Sequence, residues 1–154
     1  MRITLRAGGS IKSGPERELI DDYLTRARHM SRNLGFLEID EQQVDLRSAK
    51  TRTDETQALL PDNTTKYVIL DERGKSLTSR QISKQIAKWR DDGERHVTFV
   101  IGGADGFDPN AVPPHVVRWS FGHQTWPHKM VRVMLAEQIY RALSILAGTP
   151  YHRD

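Results

Sequence analysis

A chain of 154 residues is long enough for one domain with its own hydrophobic core. Hydrophobic residues make up 37% and charged residues 28%, which is typical of a globular protein and not of a disordered one. No stretch approaches the roughly 20 apolar residues of a membrane span, and the apolar run at the amino terminus is too short for a signal peptide. The absence of cysteine excludes disulfides and thiolate metal sites and suits the reducing cytoplasm. A net charge of +3 permits a nucleic-acid partner without establishing one.

The first half of the chain predicts strands alternating with helices. In the first strand Ile3 and Leu5 face the core, whereas Thr4 faces outward. The helix that starts at Pro15 has apolar residues at helical spacing. In chain order, the predicted elements are a strand over 2–7, a helix from Pro15, a weaker strand over 36–44, and a mobile polar loop over 47–66 that carries a short helix.

The second half is more regular. Its predicted elements are strands over 67–70, 97–101 and 116–121, a helix capped by Thr78 or Ser79 that runs to about Trp89, and a last helix over 127–146. These strands are apolar throughout, as expected of strands covered on both faces. Because they alternate with helices, the sequence predicts an α/β fold with a mainly parallel sheet flanked by helices.

Two strand ends carry glycine. Residues 102–106 (GGADG) follow one buried strand, and residues 71–74 (DERG) follow another. Ligands of open α/β sheets bind outside the carboxyl ends of strands, and glycine lets a ligand approach the backbone, so the two ends could flank one pocket. A simple tight turn is the alternative at each place.

The loop from Phe121 to Trp126 combines aromatic side chains with polar and backbone groups. Such a mixture could enclose a purine base, and it also suits a helix start in which Trp126 acts as a hydrophobic staple. His128, in the first turn of the last helix, is interpreted as a structural hydrogen-bonder. With His123 and His152 it lacks the spacing of a metal site, so no metal is predicted.

The last helix has a wide apolar surface, which suits either a deeply packed core helix or a twofold dimer interface. Glu137 and Arg141 are spaced for an ordinary surface ion pair. The chain then ends in Tyr151, His152, Arg153 and Asp154. So much hydrogen-bonding chemistry is unusual at a terminus unless the tail is held against something.

Several of these motifs together are similar to one known family. They are FVIGG over 99–103 with Gly106, TWPH over 125–128, Arg132, EQ over 137–138, YRA over 140–142 and the terminal YHR over 151–153. In this order and spacing they resemble the RlmH family, SPOUT-class methyltransferases that act on N3 of a pseudouridine in 23S rRNA. The resemblance covers essentially the whole chain and is strongest from Tyr67 onward.

The resemblance implies a fold and a cofactor. Residues 1–154 would form a single SPOUT domain, an α/β-knot whose C-terminal part, about 67–154, is threaded into a trefoil knot. S-adenosylmethionine would lie in the knot. The contacts carried over by motif are Leu70, Gly102, Phe121, Gly122, His123, Gln124, Thr125 and Trp126.

The resemblance also implies a substrate and an assembly. The substrate would be pseudouridine 1915, in the helix 69 loop of large-subunit rRNA, within the assembled ribosome in the cytoplasm. The enzyme would be a homodimer that reaches the base across its interface, with Tyr151, His152 and Arg153 as catalytic residues. His152 could accept a proton, Arg153 could stabilise an anion, and Tyr151 could stack on the base. A catalytically inactive ribosome-binding protein of the same fold is the alternative.

Overall fold

The computed structural model describes residues 1–154 as one parallel sheet flanked by four α-helices and one 3₁₀ turn. The sheet order is β2-β1-β4-β3-β5, and every neighbouring pair is parallel. The elements are β1 (Arg2–Gly8), α1 (Pro15–Ser31), β2 (Glu38–Val44), α2 (Arg52–Leu59), β3 (Lys66–Ser76), α3 (Ser79–Asp91), β4 (His96–Ile101), β5 (Val117–Ser120) and α4 (His128–Ala147). No helix has the length and apolar character needed to cross a bilayer. The predicted α/β class is confirmed, and the trefoil knot stays a prediction.

Both faces of the sheet are covered, because side chains alternate along each strand. One face packs against α1, α3 and α4, and Leu5 and Phe99 are among its buried residues. The other face packs against α2 and the segment after β4, and Ile69 and Val100 lie in that second cluster. The parallel strands all end at one edge, where ligands of such sheets bind.

Thr4 is wholly buried, so the prediction that it faces outward is wrong. Thr4 lies on the opposite face of the sheet from Ile3 and Leu5, and side chains of the neighbouring strands β2 and β4 cover it there. The Thr4 hydroxyl donates to Asp40 Oδ1 at 2.5 Å and lies 2.8 Å from His96 Nε2. A short polar residue is accommodated because these partners satisfy its hydroxyl.

The strand predicted over 67–70 continues to Ser76 as β3, so the alternative of a tight turn over 71–74 is wrong. Its ladder with β5 shifts register between Leu70 and Lys75, so the intervening residues bulge out of the sheet. Gly74 passes so close to β5 that a Cβ there would lie 2.6 Å from the carbonyl carbon of Trp119. Glycine is required at this crossing, and the bulge becomes one wall of the site described below.

The two later helices match their predictions closely. Thr78 caps α3 in a capping box with Gln81, and α4 follows directly after Pro127. α4 packs against both α1 and α3, burying Leu135, Ile139 and other apolar residues. Its wide apolar surface is therefore largely used inside one chain, whereas Met130 is 38% exposed.

Candidate functional site

A cleft of about 660 Å³ opens at the carboxyl edge of the sheet. The bulge of β3 and the ends of β4 and β5 form it, together with the start of α4. The lining residues are Arg52, Leu70 to Arg73, Ile101 to Phe107, Ser120 to Gly122, Gln124 to Trp126, His128 and Val131. Residues 71–73 and 102–106 thus flank one pocket, as expected, although 71–74 is a bulge within β3 and not a strand end.

Glycines keep this cleft open. A Cβ at Gly102 would approach Phe107 Cε2 at 3.2 Å and the carbonyl carbon of Gly106 at 3.3 Å. Gly106 has a φ of +70°, which favours glycine, and a Cβ there would meet open space. The turn after β4 thus presents bare backbone to the cleft.

A carboxylate lies beside this backbone. The Asp71 side chain is 7% exposed and pairs with Arg73 Nη2 at 3.2 Å. Burial works to raise the pKa of Asp71, but hydrogen bonds from the side chain and backbone of Arg73 outweigh it and lower the pKa overall. Asp71 is therefore ionised at neutral pH, and with Glu72 and Asp105 against Arg52 and Arg73 the cleft has a slight excess of negative charge.

The loop after β5 forms the opposite wall. Ser120 Oγ donates to Gly122 O at 2.9 Å, and Trp126 Nε1 donates to Phe121 O at 3.3 Å. Seven of the eight predicted cofactor residues line the cleft, and His123 does not. His128 lines it too, but makes no hydrogen bond within the chain, so its interpretation as a structural hydrogen-bonder is wrong.

Sequence reasoning missed several lining residues. Asp71 lies in the segment expected to flank the pocket but was not named as a site residue, and Phe107 directly follows GGADG, a position that could have indicated it. Arg52 lines the cleft from α2, where it donates to Phe107 O at 2.7 Å. No local pattern indicates that contact, which joins residues 55 positions apart.

The C-terminal tail is held by side chains of α4. Tyr151 donates to Glu137 Oε1 at 2.9 Å, and its ring lies under the Arg141 guanidinium, 4.7 Å from the ring centroid. Burial, and then the bond to Glu137, raises the pKa of Tyr151, so the phenol stays protonated at neutral pH. The Glu137–Arg141 pair, at 2.6 Å, is mostly covered and is not the ordinary surface pair that was predicted.

His152 is engaged on both ring nitrogens. Nδ1 lies 3.1 Å from Arg141 Nη1, and Nε2 lies 3.0 Å from Asp154 Oδ1. Because Arg141 can only donate, Nδ1 accepts and the proton is assigned to Nε2, facing Asp154. Asp154 also pairs with Arg80, which with His152 lowers its pKa to about 2. Arg153 is exposed and makes no hydrogen bond or ion pair.

The tail and the cleft do not meet within one chain. None of Tyr151, His152 and Arg153 lines the cleft. Their anchors Glu137 and Arg141 instead line a second groove of about 550 Å³, which shares Ser120, Phe121 and Gly122 with the cleft. The cleft with the predicted cofactor residues and the groove beside the tail thus lie next to each other, on either side of the segment after β5. The chain has no cluster of three or more potential metal-ligating side chains.

Comparison with known proteins gives matches to one protein family. The sequence model described as "Predicted SPOUT methyltransferase" matches residues 1–152. A protein of Maricaulis maris named "Ribosomal RNA large subunit methyltransferase H" is 54% identical, with both chains covered completely. Proteins of the same name from Rhodopseudomonas palustris and Hyphomonas neptunium are 48% and 45% identical, with 99% of each chain covered.

Proposed function

The chain belongs to the SPOUT methyltransferase family, and we propose that it transfers a methyl group from S-adenosylmethionine to large-subunit ribosomal RNA. The target in this proposal is N3 of pseudouridine 1915, in the helix 69 loop, on ribosomes in the cytoplasm. The observation that carries it is the cleft at the bulge of β3 and the ends of β4 and β5, which seven of the eight predicted cofactor residues line.

The chemistry of the cleft fits this cofactor. Apolar and aromatic side chains, including Leu70, Phe121 and Trp126, offer surfaces for an adenine ring. The bare backbone around Gly102 and Gly106 can approach a ligand closely and hydrogen-bond to it. The ionised Asp71 suits a ligand that carries an ammonium and a sulfonium charge.

A homodimer would complete the site. Because the tail lies beside the second groove and not in the cleft of its own chain, a partner chain is needed to bring Tyr151, His152 and Arg153 to the bound methyl group. The exposed apolar side chains of Met130 and Trp126, 38% and 42% exposed, lie next to the cleft and suit such an interface.

S-adenosylmethionine, when bound, supplies an electrophilic methyl group. The residues of the chain have to align it with N3 and assist removal of the N3 proton. His152 can accept that proton only after it releases the guanidinium of Arg141 from Nδ1. Arg153, which has no partner within the chain, is free to stabilise the anion that develops on the ring or to bind a phosphate. Tyr151 can offer its ring for stacking once the Arg141 guanidinium leaves its face.

The decisive experiment combines purified protein, methyl-labelled S-adenosylmethionine and ribosomes that lack this methyl group, and then maps the label in the RNA. We expect label at N3 of pseudouridine 1915. Label at another nucleotide overturns the assignment of the target. No label, together with no binding of the cofactor, indicates a ribosome-binding protein that keeps the fold without the catalysis.

A further inference from the structure

Arg132 is the first buried residue of α4, the helix that follows the loop from Phe121 to Trp126, which is called the cofactor loop below. The residue is 4% exposed, although arginine is almost never fully buried unless it is paired. Its nearest carboxylate, Glu41, lies 3.7 Å away and is already bound by Arg17 at 2.6 Å. Its Nε has no hydrogen-bond partner and no accessible surface. Burial lowers the pKa of Arg132, as expected of a weakly compensated buried cation.

The guanidinium connects α4 to the ends of two strands. It donates to Gly8 O at 3.1 Å and Gly9 O at 3.2 Å, where β1 ends, and to Gln43 Oε1 at 2.9 Å in β2. Gln43 in turn accepts from the backbone of Ile11 at 2.6 Å. Directional bonds therefore define where the start of α4 lies relative to the carboxyl edge of the sheet.

The neighbouring segment has no comparable attachment. From residue 121 to 131, no side chain hydrogen-bonds to any part of the chain outside the segment, and residues 123 to 130 are all exposed. The apolar packing of Val133 and Leu135 holds α4 against the sheet, but hydrophobic contact is non-directional and allows a helix to slide or rotate. The directional bonds closest after the cofactor loop are those of Arg132.

A contribution to stability alone does not explain why an arginine is buried at position 132. An apolar residue of similar size in place of a buried charge is often neutral or stabilising, because burying the charge costs desolvation energy. We propose that Arg132 is a positioning residue, which holds the start of α4 so that the loop from Phe121 to Trp126 takes the shape that binds the cofactor. This inference rests on the proposed function, because it assumes that the loop binds S-adenosylmethionine.

The test compares Arg132→Met, Arg132→Lys and a matched control, Arg17→Met. Arg17 belongs to the same ion cluster and shares Glu41 and Gln43 Oε1 with Arg132, but it makes no bond to α4. For each variant, calorimetry gives the affinity for S-adenosylmethionine, and thermal unfolding reports whether the fold is kept. Single-turnover methylation of unmodified ribosomes separates the chemical step from ribosome binding.

We expect Arg132→Met to weaken cofactor binding at least about tenfold and to slow methyl transfer by about 100-fold, as for a reacting group misplaced by about 1 Å. Arg132→Lys keeps the charge but loses the planar set of guanidinium N–H donors. We therefore expect a smaller loss of cofactor affinity and of methyl transfer. Arg17→Met should lower the unfolding temperature and leave the affinity within about twofold, since Arg132 keeps its bonds to Gly8 O and Gly9 O.

Unchanged cofactor affinity in either folded Arg132 variant overturns the proposal, as does an equal loss of affinity in Arg17→Met. If Arg132→Met does not fold, the folded Arg132→Lys protein decides the question. Failure of the unmodified protein itself to bind S-adenosylmethionine would refute the proposed function instead, so the two failures are distinguishable.

Discussion

The cleft and the tail are built in different ways. The cleft consists of strand ends and glycine backbone, and its shape follows from the order β4-β3-β5 and the bulge in β3. The tail is held by side chains, in which Glu137, Arg141 and Asp154 bind Tyr151 and His152. Backbone geometry is costly to change and suits a fixed cofactor site. Side-chain bonds at a chain end are easier to exchange, which suits groups that must engage a substrate.

Removal of residues 151–154 should produce the largest effect. Since the tail does not line the cleft, binding of S-adenosylmethionine should stay within about twofold. Methyl transfer should fall by at least about 100-fold, because proton transfer and anion stabilisation are lost together. Calorimetry and a ribosome methylation assay measure the two properties. Full activity in the truncated protein would refute the catalytic role of the tail.

Gly74→Ala tests whether the structure around the cleft depends on close backbone packing. The new Cβ would collide with backbone atoms of β5, 2.6 to 2.7 Å away, so we expect a loss of about 2 to 3 kcal/mol in unfolding free energy. Gly93→Ala is the control: its φ is +87° but no atom lies within 4 Å, so strain alone should cost about 1 kcal/mol. Denaturant unfolding measures both. Equal losses in the two variants would show that the close crossing is unimportant.

Glu137→Gln tests whether side-chain bonds hold the tail in place. The change removes the charge that binds Arg141 while keeping an acceptor for Tyr151, so the tail should loosen without unfolding. We expect methylation to fall by about tenfold, an effect of roughly 1.4 kcal/mol, with unchanged cofactor affinity. Glu18→Gln, at an exposed α1 position without a partner, is the control and should behave as the unmodified protein. Weakened cofactor binding in Glu137→Gln would show that the two regions are not separate.

The smallest effect is expected from a change at His96, which lies at the amino-terminal edge of the sheet, away from the cleft and the tail. Burial lowers the pKa of His96, so the unfolded chain binds a proton on this residue more readily than the folded one. The ordinary pKa of histidine is 6.5, and the contribution of His96 to the unfolding free energy is fully present above that pH. This contribution is lost as the pH falls from 6.5 towards the lower pKa that His96 has in the folded protein. His96→Gln should flatten this part of the profile of unfolding free energy against pH. An unchanged profile would contradict the assignment.

Much of the fold could be predicted from local patterns. The helices α3 and α4 start within a residue or two of their predicted positions, because Thr78 and Pro127 are chemically specific starting signals. The continuation of β3 past Leu70 could not be predicted. Asp71 to Gly74 is a good turn sequence, but these residues stay within β3, which passes close to β5 at Gly74.

By itself, the sequence determined the order of strands and helices, the glycine-containing strand ends and the motifs of the family, since each depends on neighbours in the chain. The tertiary structure decided the remaining features, because these depend on residues far apart in sequence. It buried Thr4 between two other strands and made Arg132 a partner of Gly8, 124 residues away. It also separated the tail from the cleft of its own chain, which no local pattern encodes.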